Sequence, residues 1–190
     1  MDAPAPLTPE QIRAIADGRH RATKIRRAAT VAAISGWSLI VFAALTALGV
    51  LFGSITALVM ALALAVLGWN ELRGGAMLRR LDPRGPRTLA LNQLTLGVVI
   101  VAYAAWSLHK ALSNPTTLAS VGGSTGDPQM DAMIAGVSEM VAWGVYGTMA
   151  AVGIIVPGLT AWYYASCARF VHTLLNDTPS WVVQTLRAAA

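Results

Sequence analysis

From Ala28 to Asn70 the chain contains no Asp, Glu, Lys or Arg. That absence excludes a water-soluble domain over this stretch, because about 20 apolar residues cross a bilayer core as helix and a longer run crosses it twice. Charge is scarce throughout: charged residues make up 12% of the sequence, against roughly 25% in an ordinary soluble domain. Cysteine is nearly absent as well. With Cys167 alone, an intramolecular disulfide and any thiol mechanism needing a cysteine pair are excluded. Arg26 and Arg27 ahead of the apolar run resemble a twin-arginine export signal. A signal core is roughly 7–15 residues long, however, whereas Ala28 to Phe52 already matches a full span and leads into a second, so no cleavage is expected there.

What is present is apolar sequence, 55% of the chain. The blocks predict four transmembrane helices, at 28–52, 55–71, 88–109 and 137–168, within a single membrane domain covering 1–190. The expected fold is all-α, an integral membrane four-helix bundle with an interfacial amphipathic helix at each terminus. Leu51, Phe52, Gly53 and Ser54 offer the break inside the first long run, with glycine free to turn and serine able to cap the next helix. The segment from Asp82 to Arg87, with Pro83 and Pro86, ends the second helix and delays the third to about Thr88.

Orientation follows from the basic residues. Arg13, Arg19, Arg21, Lys24, Arg26 and Arg27 precede the first span, and Arg73, Arg79, Arg80, Arg84 and Arg87 lie between the second and third, leaving three of the 14 Lys and Arg elsewhere. The positive-inside rule places both termini and this connection in the cytoplasm of an inner membrane protein. The tails predict surface helices: residues 1–27, with Thr8, Pro9 and Gln11 as a start signal, and residues 176–190, where Thr178 and Pro179 repeat that signal ahead of Trp181, Val182 and Leu186. Arg13, Arg19, Arg21, Lys24, Arg26, Arg27, Arg79, Arg80, Arg84 and Arg87 are the candidate contacts to anionic lipid headgroups, each contributing about 1 kcal/mol near such a surface. A basic balance generated by topology does not point to nucleic acid.

Residues 113–136 read as an external flexible loop, rich in glycine around 122–126 but lacking the Gly-Lys-Ser/Thr ending of a phosphate loop. Asp127 and Pro128 predict another helix start. In the fourth span Pro157 and Gly158 form a candidate hinge or a fixed bend. Gly144 with Thr148, Gly147 with Ala151, and Ala57 with Ala61 and Ala65 repeat at intervals that favour close helix contact in lipid.

Polar groups within the spans are few. Asn70, Glu71, Asn92 and Gln93 fall at matching cytoplasmic depth and form a candidate polar cluster, in which Glu71 is either a proton or cation site or an interfacial carboxylate paired with Arg73 or a loop arginine. His20, His109 and His172 do not gather at one depth, so no haem, metal or other cofactor is expected. Trp69, Trp162, Tyr163 and Tyr164 read as one interfacial belt and Trp106 and Trp143 as the other, with Trp37 packed against a neighbouring helix. No catalytic arrangement is apparent, so an enzyme is not expected. The function anticipated from these features is an accessory, assembly or scaffold subunit of a larger or homo-oligomeric membrane complex. The alternative is a homo-oligomeric channel or small transporter using the polar cluster.

Overall fold

A computed structural model of the chain describes residues 8–113 and 127–189. It is all-α, as expected, with no strand among the described residues. Helix α1 spans Pro9–Ala47 and passes through a 3-10 turn at Leu48–Phe52; α2 spans Ile55–Arg79, α3 Gly85–Ser113, α4 Pro128–Asp177 and α5 Ser180–Ala188. The four long helices are each apolar enough to cross a bilayer, which makes this a multi-pass membrane protein.

The ends of these helices follow local chemistry. Thr8 and Gln11 form a capping box: the Gln11 amide donates to Thr8 Oγ1 at 3.3 Å and the Thr8 amide to Gln11 Oε1 at 3.0 Å. Gly53, at φ 75°, closes the 3-10 turn, and Ser54 Oγ accepts from the Ala57 amide at 3.2 Å to begin α2. At the far end of α2 the Leu81 amide donates to the Leu78 carbonyl and the Asp82 amide to Met77, a Schellman closure. The left-handed position in that closure is occupied by Leu81, at φ 56°, rather than glycine. Its side chain is buried, which offsets the backbone strain.

Several boundaries differ from the sequence expectation. The basic segment and the first span are not separate elements: α1 is uninterrupted, because no helix breaker stands between Arg27 and Ala28. Helix α3 begins at Gly85 rather than Thr88, since Pro86 in the first turn has no amide donor to leave unsatisfied. Helix α4 starts at Pro128, with Asp127 Oδ1 accepting from the Gln129 amide at 2.9 Å, so 128–136 is helical; the glycine-rich segment at 114–126 lies outside the described residues. Pro157 lies within α4, in keeping with a single fourth span. Helix α5 starts after Pro179 without the expected Thr178 side-chain cap.

The helices form two compact units. In the first, comprising residues 1–92 and 160–190, α1 and α2 run antiparallel with their backbones in near contact. A Cβ on Gly68 would stand 3.0 Å from the Gly36 carbonyl oxygen, and one on Gly75 3.3 Å from that of Ala29. Only glycine at these positions allows so close an approach. The tails complete this unit. Gly18, Ala22 and Ile25 of α1 are buried with Val171 and Leu174 of α4 and Val182, Val183 and Leu186 of α5 in one apolar cluster. Part of each terminal apolar face is thus covered by protein, while Ile12 and Trp181 remain exposed. Exposed Arg21 and Asp177 approach to 3.8 Å, and Lys24 Nζ lies 4.8 Å from the centre of the Phe170 ring.

In the second unit, residues 93–159, α3 and α4 meet at another glycine pair. A Cβ on Gly97 would lie 2.8 Å from the Gly153 carbonyl oxygen, and Pro157 packs beside Gly97. Gly144 and Gly147, expected to mediate helix contact, have no neighbouring atom among the described residues within 4 Å of where a Cβ would stand, so the close packing in this unit is made by Gly97 and Gly153 instead. Trp37 of α1 is likewise 61% exposed rather than packed against a neighbour.

Candidate functional site

The candidate site lies in the first unit, where α2, α3 and α4 each contribute one buried polar side chain. Glu71 and Tyr164 are fully inaccessible, and Asn92 nearly so. Helix α2 presents Glu71 on the same face as Leu67, Gly74, Gly75 and Leu78, all buried at three- and four-residue intervals. In α3, buried Leu89, Asn92 and Leu96 follow the same period. In α4 the inward series is Ala161, Tyr164, Cys167, Val171 and Leu174.

Three hydrogen bonds tie these faces together. Asn92 Nδ2 donates to Glu71 Oε2 at 2.6 Å and to the Leu67 carbonyl oxygen at 3.0 Å. Tyr164 Oη donates to Glu71 Oε1 at 3.0 Å. The chemistry fixes the orientation of the asparagine: both contacts of that atom are to acceptors, so it is the amide nitrogen, and its two hydrogens are both used. Each oxygen of Glu71 accepts from a different helix. A buried carboxylate is tolerated only when surrounded in this way, since its hydration must be replaced by donors.

Of the four residues proposed from sequence, Glu71 and Asn92 are brought into direct contact. Gln93 is also buried, and Asn70 lies half-buried on the neighbouring face of α2. The pairing of Glu71 with Arg73 is not what the side chains form. Two residues along a helix is more than half a turn, so Arg73 sits on the exposed face while Glu71 points inward. Tyr164 was expected in an interfacial belt with its neighbours. Trp162 is 73% exposed as a belt residue requires, but Tyr164 is turned inside. The signal that identifies it is the three- and four-residue repeat from Ala161 to Leu174.

Pro157 is buried and Gly158 half-buried, within an unbroken helix. All ten candidate headgroup residues are exposed. His20, His109 and His172 are exposed, and no group of three metal-ligating side chains occurs among the described residues. Chemically, the Glu71 arrangement is suited to holding three helices at fixed spacing and to storing a negative charge or a proton out of contact with solvent. No family model, curated protein or solved structure matches this chain.

Proposed function

We propose that this multi-pass protein is a non-catalytic packing subunit of a larger or homo-oligomeric assembly in an inner membrane. Its basic end faces the cytoplasm and contacts anionic lipid. The observation that carries this reading is the open face of α4. Gly144 and Gly147 are exposed, with no contact to a neighbouring helix among the described residues, Ala151 continues that face one turn further, and Trp143 beside them is 55% exposed. Glycine in a helix interior costs about 1 kcal/mol relative to alanine, and a flat surface that admits a second backbone recovers that cost only when another helix occupies it. The polar groups support the same reading. Both oxygens of Glu71 already accept hydrogen bonds inside the protein, which suits a structural tie better than the wall of an ion path.

The basic residues support the orientation and the lipid contact. They collect at the end of the first unit that carries Arg26, Arg79 and Arg187, the last donating to the Leu81 carbonyl oxygen at 3.5 Å. The test is native mass measurement after extraction in several mild detergents. A species heavier than the 19.9 kDa chain, reduced to single chains by Gly144→Leu with Gly147→Leu, is the expected result. A single chain in every detergent refutes the assembly role. Proton or cation flux in liposomes that Glu71→Gln abolishes would favour a transporter instead.

A further inference from the structure

The close α1–α2 crossing has a consequence for the basic residues below it. Gly36 meets Gly68, and Ala29 and Ala32 meet Gly75. Continued one turn further, this antiparallel register brings Arg26 level with Arg79. Both residues, with Thr30 and Ala189, line a hollow of about 220 Å³. The Thr30 hydroxyl is committed to the Arg26 carbonyl oxygen at 3.1 Å, so the charged donors among the lining residues are those of the two arginines. Neither has a carboxylate partner among the described residues, in contrast to Arg21, which approaches Asp177.

Depth identifies the ligand. Arg26 stands two residues before Ala28, the start of the charge-free run, a rise of about 3 Å along the helix. The hollow therefore opens at the edge of the hydrocarbon layer, where phosphodiester groups of lipids lie. Guanidinium groups match phosphate oxygens two at a time, and a pair from different helices clamps such a group without a protein counter-ion. We infer that Arg26 and Arg79 form a discrete site for the phosphodiester of one anionic phospholipid at the α1–α2 crossing. This deepens the anionic-lipid contact proposed above and rests on it: two of the ten basic residues bind a particular lipid, while the others contribute diffuse attraction.

The experiment is native mass spectrometry of the full chain titrated with phosphatidylglycerol or phosphatidylcholine. It compares the parent protein, Arg26→Ala with Arg79→Ala, and Arg84→Ala with Arg87→Ala, which removes the same charge from exposed positions nearby. The parent is expected to retain one phosphatidylglycerol in preference to phosphatidylcholine. Affinity should fall at least tenfold further in the first double variant than in the second, whose loss measures the diffuse attraction alone. Should the first variant not fold, Arg26→Lys with Arg79→Lys keeps the charge and loses the paired geometry, and a severalfold weakening is expected. Equal losses in the two alanine pairs, or no loss in the lysine pair, overturn the discrete site while leaving general lipid attraction standing. Displacement of the lipid by millimolar inorganic phosphate would show a soluble-anion site and also overturn it. A parent protein with no preference for phosphatidylglycerol overturns the broader lipid reading itself.

Discussion

Replacing Asn92 by leucine removes the donor that Glu71 Oε2 relies on while nearly preserving side-chain volume. Two hydrogen bonds disappear. The one to the Leu67 carbonyl is the lesser loss, because that oxygen lies within α2, whose own backbone ladder continues to satisfy it. The 2.6 Å bond to the carboxylate is the greater one: bonds to charged groups contribute about 1.5–3 kcal/mol, and an oxygen left short of a donor adds its desolvation cost. Polar contacts in other membrane proteins average only about 0.6 kcal/mol with a maximum near 1.7, since an unfolded chain in lipid finds substitute partners. Full inaccessibility of Glu71 places this site at or above that maximum, and we expect a loss of about 2–3 kcal/mol. The diagnostic comparison is Glu71→Leu combined with Asn92→Leu and Tyr164→Phe, since Tyr164 also donates to this carboxylate. Removing the acceptor with both of these donors leaves neither a stranded carboxylate nor a stranded hydroxyl, so the triple variant should be more stable than Asn92→Leu alone by about 1 kcal/mol or more. Reversible unfolding in mixed micelles measures both. If the triple variant is the less stable of the two, Glu71 is not held by Asn92 in the way described.

Three other outcomes follow from the packing. Tyr164→Phe removes only the hydroxyl bond to Glu71 Oε1 and should cost about 1–2 kcal/mol in the same assay, with secondary structure unchanged by circular dichroism. Gly68→Ala places a methyl 2.9 Å from Ile40 and 3.0 Å from the Gly36 backbone and should cost about 1–3 kcal/mol, whereas Gly158→Ala, with open space around it, should be neutral or slightly stabilising. Leu81→Gly relieves the left-handed backbone, worth about 1 kcal/mol, but loses a buried leucine worth about 1.5–3 kcal/mol; net destabilisation is expected, and increased stability would show that burial does not hold this turn.

The spans, the turn at Gly53 and Ser54, the capping box at Thr8 and the meeting of Glu71 with Asn92 were all legible in the sequence. Their signals are local: runs without charge, residues with special backbone freedom, and polar groups at matching depth. Which face of each helix turns inward was much less legible. In a soluble protein the outward face is polar and the pattern betrays it; in lipid both faces are apolar, so Trp37 and Gly144 read as interior and lie outside. Tyr164 was obscured by the same loss of contrast, standing beside Trp162 and Tyr163, which are both exposed. The terminal helices, α5 and the first turns of α1, were legible as amphipathic, but which of their apolar residues pack inward was not. An amphipathic stripe fits a membrane surface and a neighbouring helix equally well, and only tertiary contact decides between them.

Helix α1, with its 39 residues, is a rod about 58 Å long, nearly twice the thickness of the hydrocarbon layer. A partner that grips its Thr8 end holds a lever whose fulcrum is the Gly36–Gly68 crossing. Because Ala22, Ile25, Ala29 and Ala32 of that rod are buried in the cluster shared with α4 and α5, the grip could not pivot the rod alone: tilting its end would carry the packed helices with it as one body.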